Sequence, residues 1–396
     1  MTKYLIFALI VLTQSLLAQN ATILRIDPDN ARGGTAAEIF DSIRFIPLET
    51  TKASLFGKID QLEVTDSLFI ILDIQSRSIL LFKRNGKFYN RINTGGVDKY
   101  LYYFRLDTAA REIIASNNFA NGFLVYDYKG TFLRKEPCVD YTYNFYRFPN
   151  KNVLYQNRRS VKSESTDKVL YDLAYSDGYN HVIKQMKPYN ARNESGDFNG
   201  DYTSFNFSGQ PGSCMFSVPY EYKVYQMNDT GILHTYQFVF PTTYSLPHNF
   251  SSDSTYRNIR DKYAYGMSIN YRKFSALERV YRWGEYLLFA AVSFETSVNS
   301  HRTFAYNLNN GSLISFSRVT GDSSSYYFPV IGSLLEQIDA VYRGEIFSSM
   351  AAYTFFALRN AGENKVVYPE ALQKFVNENN KGANPAIVQF RLKHQL

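Results

Sequence analysis

Two stretches of this chain, FKRNGKFYNRI (Phe82 to Ile92) and YDYKGTFLRKE (Tyr126 to Glu136), superimpose without a gap when Gly86 is laid on Gly130. The same offset brings Phe82 onto Tyr126, Ile79 onto Phe123, Asp73 onto Asn117, Ile70 onto Ile114 and Phe88 onto Phe132. Each copy reads as three strands. Leu68 to Leu72 and Glu112 to Ala115 come first, Ser78 to Lys83 and Gly122 to Tyr128 second, Lys87 to Ile92 and Thr131 to Lys135 third. Glycine supplies the positive φ that a tight hairpin needs, and Asn85-Gly86 is the favoured pair for a two-residue loop.

A period of 40 to 50 residues holding several antiparallel strands is the mark of a β-propeller, whose units are small sheets unable to bury both faces alone. Weaker copies follow: Asn144 to Met186 with a turn at Asp177-Gly178, Phe205 to Phe240 with a turn near Asp229 to Gly231, and Val280 to Ser317 with a corner at Asn309-Asn310-Gly311. A last unit, from about Tyr326 to Phe347, needs strands from both ends of the chain, and Ile43 to Pro47 with Ile387 to Leu392 form the expected clasp. The expectation is therefore an all-β, six-bladed β-propeller spanning residues 19–396 as one domain. Composition agrees, because 33 Tyr and 31 Phe against one Trp suit the half-buried faces of strands. Three short peripheral helices are expected at Ser252 to Tyr263, Ser349 to Arg359 and after Pro369, where Leu372, Phe375 and Val376 share one face.

The N-terminus, MTKYLIFALIVLTQSLLAQN, places Lys3 before an apolar run from Tyr4 to Leu12 and a small residue at Ala18. This is the pattern of a secretory signal peptide over residues 1–18, too short in its apolar part to span a bilayer. No Cys follows the apolar core, so lipid attachment has no acceptor thiol. The 43 basic and 36 acidic residues give +7, and 42 against 36 leaves +6 after Lys3 departs. No basic stripe accompanies that charge, which argues against nucleic acid as a partner. Cys138 and Cys214 fall in different repeats; spacing leaves pairing open, since a disulfide needs Cα atoms within about 7 Å.

The segments FDSIRFIPLETT (Phe40 to Thr51), LFIILDIQSRSILLFKRNGKFYNRI (Leu68 to Ile92), VYQMNDTGI (Val224 to Ile232) and NPAIVQFRLK (Asn384 to Lys393) together resemble the six-bladed propeller proteins exported by Bacteroidetes, which are similar in pattern to NHL-repeat propellers. The resemblance implies the fold and export, and it implies no activity. Such proteins commonly carry a Pro-Gly-Glu-Tyr-like connector after the first blade, where this chain has Gly95-Gly96 before Val97-Asp98-Lys99-Tyr100. Asp41-Ser-Ile, Asp66-Ser-Leu and Asp107-Thr-Ala resemble the O-glycosylation pattern of exported Bacteroidetes proteins.

Motifs of chemistry are absent from the sequence. There is no G-x-S-x-G elbow, and Gly209-Gln-Pro-Gly-Ser213 reads as a loop. His181, His234, His248, His301 and His394 form no i, i+2 or i, i+4 pair, and neither a calcium loop nor a phosphate-binding glycine motif occurs. Asp73 is read as a turn-stabilising Asx residue in preference to a channel ligand. Arg158-Arg159 could fork onto an anionic sugar but reads first as a solvated turn. The aromatic groups Tyr100 to Phe104 and Tyr141 to Tyr146 suit either blade packing, the preferred reading, or the stacking of sugar rings. No catalytic, metal or cofactor residue is assigned and the ligand-binding residues stay unknown. The expected function is a non-enzymatic binding or scaffold propeller, monomeric, located in the periplasm or at the cell surface. Its rim loops would meet a glycan, a peptide or another exported protein. The alternative is a lactonase-like hydrolase or polysaccharide lyase working at the mouth of the channel, an idea that rests on fold analogy.

Overall fold

A computed structural model describes residues 21–93, 101–117, 122–139, 142–157, 169–178, 181–190, 205–256, 272–294, 301–331, 337–361 and 366–394. Residues 1–18, expected from the sequence to be a signal peptide, the Gly95-Gly96 connector and Arg158-Arg159 lie outside the described residues. Three N-terminal strands come first, β1 (Ala21–Arg25), β2 (Arg32–Thr35) and β3 (Phe40–Pro47), with a helical turn α1 (Ala36–Ile39) before β3. Blade 1 is β4 (Gln61–Val64), β5 (Leu68–Asp73), β6 (Ser78–Lys83) and β7 (Phe88–Asn93). Blade 2 is β8 (Leu101–Asp107), β9 (Glu112–Asn117), β10 (Phe123–Asp127) and β11 (Phe132–Glu136). Blade 3 is β12 (Thr142–Arg147), β13 (Val153–Asn157), β14 (Val169–Ser176) and β15 (Val182–Asn190). Blade 4 is β16 (Phe205–Phe207), β17 (Ser213–Ser217), β18 (Lys223–Asn228) and β19 (Ile232–Val239). Blade 5 is β20 (Phe274–Trp283), β21 (Tyr286–Ser293), β22 (His301–Asn307) and β23 (Leu313–Thr320).

The sixth blade joins the two ends of the chain. Its order is β24 (Ile338–Tyr342), β25 (Glu345–Met350), β26 (Ala386–Leu392) and then β3. Ile387 lies opposite Ile46 and Phe390 opposite Ile43, which is the clasp expected from the sequence. Helices α2 (Ala352–Ala361) and α3 (Glu370–Glu378) fill the link between β25 and β26, and α3 buries Leu372, Phe375 and Val376 as its spacing predicts. At the third expected helix only a 3-10 turn, Ser254–Tyr256, falls among the described residues.

The apolar pattern follows from position in the ring. Both faces of β5 and β6 are covered by neighbouring blades, so LFIILD is buried throughout and SILLFK is buried up to its last residue. The outermost strand, β7, exposes Tyr89, Asn90 and Asn93. Six core clusters occupy the six seams. Phe69, Ile71 and Phe82 meet Phe347 and Ile387 between blades 1 and 6, for example, while Phe238 of blade 4 meets Phe289 of blade 5 edge-on at 5.0 Å. Burying one such side chain contributes about 1.5–3 kcal/mol, so each blade depends on its neighbours for most of its stability.

The N-terminal segment adds a feature the repeat did not announce. β1 pairs in parallel with β19, and β2 in parallel with β23, before β3 enters blade 6. The chain thus runs as a belt around the outside of blades 4, 5 and 6. Arg318 fastens it through Nη1 to the carbonyls of Asp29 (2.9 Å) and Ala31 (2.5 Å), and the Tyr244 hydroxyl donates to Asp29 at 2.6 Å.

Candidate functional site: the central channel

The innermost strand of every blade is an unpaired edge whose backbone N–H and C=O groups face the axis, and buried groups of this kind need partners. Side chains from adjacent blades supply them. Gln61 accepts from the Phe104 N–H (3.1 Å) and donates to the Phe104 carbonyl (2.7 Å), pairing blade 1 with blade 2. Ser217 donates to the Leu277 carbonyl at 2.7 Å, and the Tyr281 hydroxyl to the Asp339 carbonyl at 3.0 Å.

Two arginines extend this pattern over the whole ring. Arg105, on β8, donates through Nε to the Phe145 carbonyl (2.9 Å) and through Nη1 to Glu63 Oε1 (3.3 Å). Its Nη2 reaches Asn144 Oδ1 (3.3 Å) and the Phe205 carbonyl (3.1 Å). One guanidinium in blade 2 therefore holds blades 1, 3 and 4. Arg279, on β20, donates to Asp339 Oδ1 in blade 6 (3.0 Å) and to the Asp60 carbonyl just before blade 1 (3.3 Å). Ser349 completes the Asp339 carboxylate at 2.8 Å.

β-Bulges bring some of these groups to the axis. The register shifts between Ile338 and Ala340 at Asp339, and between Glu278 and Tyr281 at Arg279, whose φ is 48°. An extra residue in one strand re-aims the side chains beside it, which is how a charged group leaves the apolar seam for the channel.

Burial raises the carboxyl of Glu278 to about 7, with Arg279 opposing the shift. Burial also raises Glu63 and Asp339 above the usual carboxylate range, opposed by Arg105 and Arg279 respectively. Glu63 keeps 31% of its side chain accessible, whereas Glu278 and Asp339 are 8% and 6% exposed. No set of three His, Cys, Asp or Glu among the described residues is placed to hold a metal ion.

The residues singled out in the sequence lie elsewhere. Asp73 is fully buried, and its Oδ2 accepts from the Gly57 N–H at 3.1 Å, strapping the link into blade 1 instead of closing its own turn. The side chain of its repeat mate Asn117 is outside the described set, as is that of His301. His181 is exposed beside Asp177, His234 pairs with Thr22 at 2.9 Å, His248 is exposed, and His394 stacks on Trp283. Cys138 and Cys214 are not joined in a disulfide, and burial pushes the Cys214 thiol upward, away from reactivity. Leu101, Tyr103, Phe104 and Phe145 of the aromatic groups are buried between blades. Gly209 and Gly212, at φ 82° and 72°, shape the turn between β16 and β17, across which the Ser208 and Ser213 hydroxyls meet. Sequence reasoning missed the channel set itself, although Arg105 in YYFRLD and Arg279 in ALERVY are charges inside apolar runs and so demand buried partners.

Six blades closed on a clasp, around a channel occupied by its own ion pairs, define a six-bladed β-propeller. The chain belongs to the family described as a domain of unknown function, DUF4934, whose model matches residues 25–391. Its fold is similar to that of a candidate exported protein of Bacteroides fragilis, with 15% identity, a TM-score of 0.68, and coverage of 94% of this chain and 100% of that one. A member of the DUF4221 family from Bacteroides vulgatus superimposes with a TM-score of 0.51 at 12% identity, covering 90% of this chain and 98% of that one. A virginiamycin B lyase from Staphylococcus aureus reaches only 0.43 at 11% identity over 78% and 82% of the two chains, too loose a match to carry anything across. No curated protein matches the sequence. Among the described residues no helix is long and apolar enough to cross a membrane.

Proposed function

We propose that this chain is an exported, non-enzymatic propeller that binds a glycan, a peptide or a partner protein through a rim and uses its channel as a structural axle. The observation that carries the reading is the engagement of Arg105 and Arg279, which spend their donors on Glu63, Asp339 and the carbonyls of Phe145, Phe205 and Asp60, and so tie their own blades to the four others. Groups committed to holding blades together are poor candidates for turnover. Residues 1–18 act as a cleaved leader in this reading, the mature chain starts at Gln19, and it stays unlipidated in the periplasm or at the surface. N-terminal sequencing of the exported protein tests that part, and a start other than Gln19 refutes it.

The second reading, an enzyme at the channel, has Glu278 on its side, a carboxyl near 7 and therefore able to hold or release a proton at neutral pH. A thermal-shift screen of the mature protein against neutral and anionic glycans, peptides, lactones and metals separates the two, because a ligand raises stability with its occupancy. Binding without consumption of the ligand supports the proposal. Turnover of any lactone or glycan that is lost in Glu278→Gln overturns it.

A further inference from the structure

Between β23 and β24 the segment Gly321-Asp-Ser-Ser-Ser-Tyr-Tyr-Phe328 closes a tight turn in which the Phe328 N–H donates to the Ser325 carbonyl at 2.9 Å. Its two central residues, Tyr326 and Tyr327, have φ of 55° and 62°. Positive φ at both central positions is the pattern of a type I′ turn, which favours Asn-Gly because a Cβ crowds the backbone there. The turn between β24 and β25 has the same pattern, and there Arg343 (φ 48°) is followed by Gly344 (φ 74°) at the second central position. Among the described residues, Tyr326 and Tyr327 are the one adjacent pair of non-glycine residues with positive φ.

Such strain persists only where the surroundings over-determine it. Asp322 accepts from the Ser324 N–H (2.8 Å), from the Ser324 hydroxyl (2.6 Å) and from the Ala37 N–H (2.8 Å), while its carbonyl takes the Tyr327 N–H at 2.7 Å. Buried Ser325 donates to the Phe328 carbonyl at 2.7 Å, and a Cβ on Gly321 would stand 2.6 Å from that same oxygen. Packing explains Tyr326, whose ring lies 6.0 Å from Phe45 and 5.8 Å from Tyr368. It does not explain Tyr327, which is 49% exposed. Closing the turn would be easier with Gly at that position, so the ring is kept at the surface against local preference, and breaches of a local rule concentrate at functional sites.

We infer that Tyr327 is the aromatic platform of a subsite for a neutral carbohydrate. A rigid phenol offers an apolar face with a polar tip, suited to a ligand that is apolar on one side and hydroxylated at its edge. Ser323 and Ser324, in the same turn, are exposed as well. The only charged side chain of residues 321–328 is Asp322, with both carboxylate oxygens already engaged, so nothing in the segment attracts an ionic ligand.

The inference rests on the binding reading above and narrows it to one rim. Its test is native affinity electrophoresis of the mature protein in gels carrying amylopectin, barley β-glucan, xylan or galactomannan, with melting curves recorded in parallel. At least one polysaccharide should retard the wild type. Tyr327→Gly, which removes the ring and the strain together, should lose tenfold or more in affinity while melting at the same temperature or slightly higher, and Tyr327→Phe should keep most of the binding. Retention of Tyr327→Gly within twofold of wild type overturns the platform while leaving glycan binding intact. A markedly lower melting point for Tyr327→Gly overturns it too, because the ring would then be a stability element. Failure of all four polysaccharides overturns the carbohydrate assignment, with the peptide and protein arms of the thermal-shift screen still deciding the broader proposal.

Discussion

Arg279 of blade 5 and Asp339 of blade 6 meet at 3.0 Å with 7% and 6% of their surfaces exposed, an ion pair buried beside the axis of the ring. Taking both charges out of water is costly, so the pair itself adds little net stability, but stranding one member costs about 3–5 kcal/mol. Asp339→Ala should lower the unfolding free energy obtained from urea titration by an amount of that order. The double variant Arg279→Met/Asp339→Leu should recover more than half of the loss. A double variant as unstable as the single one would show that shape, not stranded charge, controls this seam.

Glu278 gives stability a pH dependence. Its carboxyl titrates near 7 in the folded chain against 4.5 as a free side chain. Below 4.5 both states hold the proton and the fold is unpenalised; as pH rises to 7 the unfolded chain ionises first, so stability declines, then levels off above 7. The drop is about 3 kcal/mol. Glu63 and Asp339 are shifted in the same direction and leave a residual slope. Urea midpoints between pH 4.5 and 8 should fall less steeply in Glu278→Gln, and parallel curves for the two proteins would count against the assignment.

Gly86 does more than turn a corner. Its φ is 84°, and a Cβ there would lie 2.0 Å from the Pro47 carbonyl oxygen, at the exit of the clasp strand. Gly284, at φ 56°, has nothing within 4 Å of the same position. Gly284→Ala should therefore cost about 1–2 kcal/mol, the backbone penalty alone. Gly86→Ala should cost clearly more, since blade 1 must move away from blade 6. Equal losses in melting temperature would remove the steric part of the argument.

Asn384 is fully buried and ties the last strand to the link between blades 6 and 1. Its Nδ2 donates to the carbonyls of Glu49 (2.8 Å) and Ser54 (2.9 Å), and its Oδ1 accepts from the Phe56 N–H (3.1 Å). Asn384→Ala leaves three buried backbone groups without partners, at about 1–3 kcal/mol each before relaxation. Hydrogen exchange should accelerate at Phe56 ahead of the blade cores. Unchanged protection there would mean that the link is held by other contacts.

The fold was legible because its repeating unit carries its signal locally. Buried middle strands such as β5 and β6 read as apolar runs, and Gly86, Gly130, Gly178 and Gly311 mark corners at positive φ. The innermost strands were not legible. β4 has four residues and β16 three, too few for alternation to register, and their polar residues resemble loop. Nor was the belt, since Arg32-Gly33-Gly34-Thr35 reads as a turn and its partner strand lies almost three hundred residues downstream. The channel set is hidden for a related reason: Glu63, Arg105 and Asn144 stand about forty residues apart and converge only once blades 1, 2 and 3 stack. Asp73 stands out by its repeat position, yet its partner Gly57 sits in a connector that no repeat describes.

The belt divides the circumference into two kinds of wall. On blades 4 and 5 it covers the free edges of β19 and β23. The open edges of blades 1, 2 and 3 instead carry Arg91 on β7, Lys135 on β11, and Lys184 and Pro188 on β15, residues that discourage a foreign strand from adding on. Two of the outer edges are thus closed by a ribbon of the chain's own, and three are left to their side chains. A protease that trimmed the ribbon back to Thr35 would bare the edges of β19 and β23 and at the same time strip Leu24, Ile26 and Ala31 from the seam between blades 4 and 5.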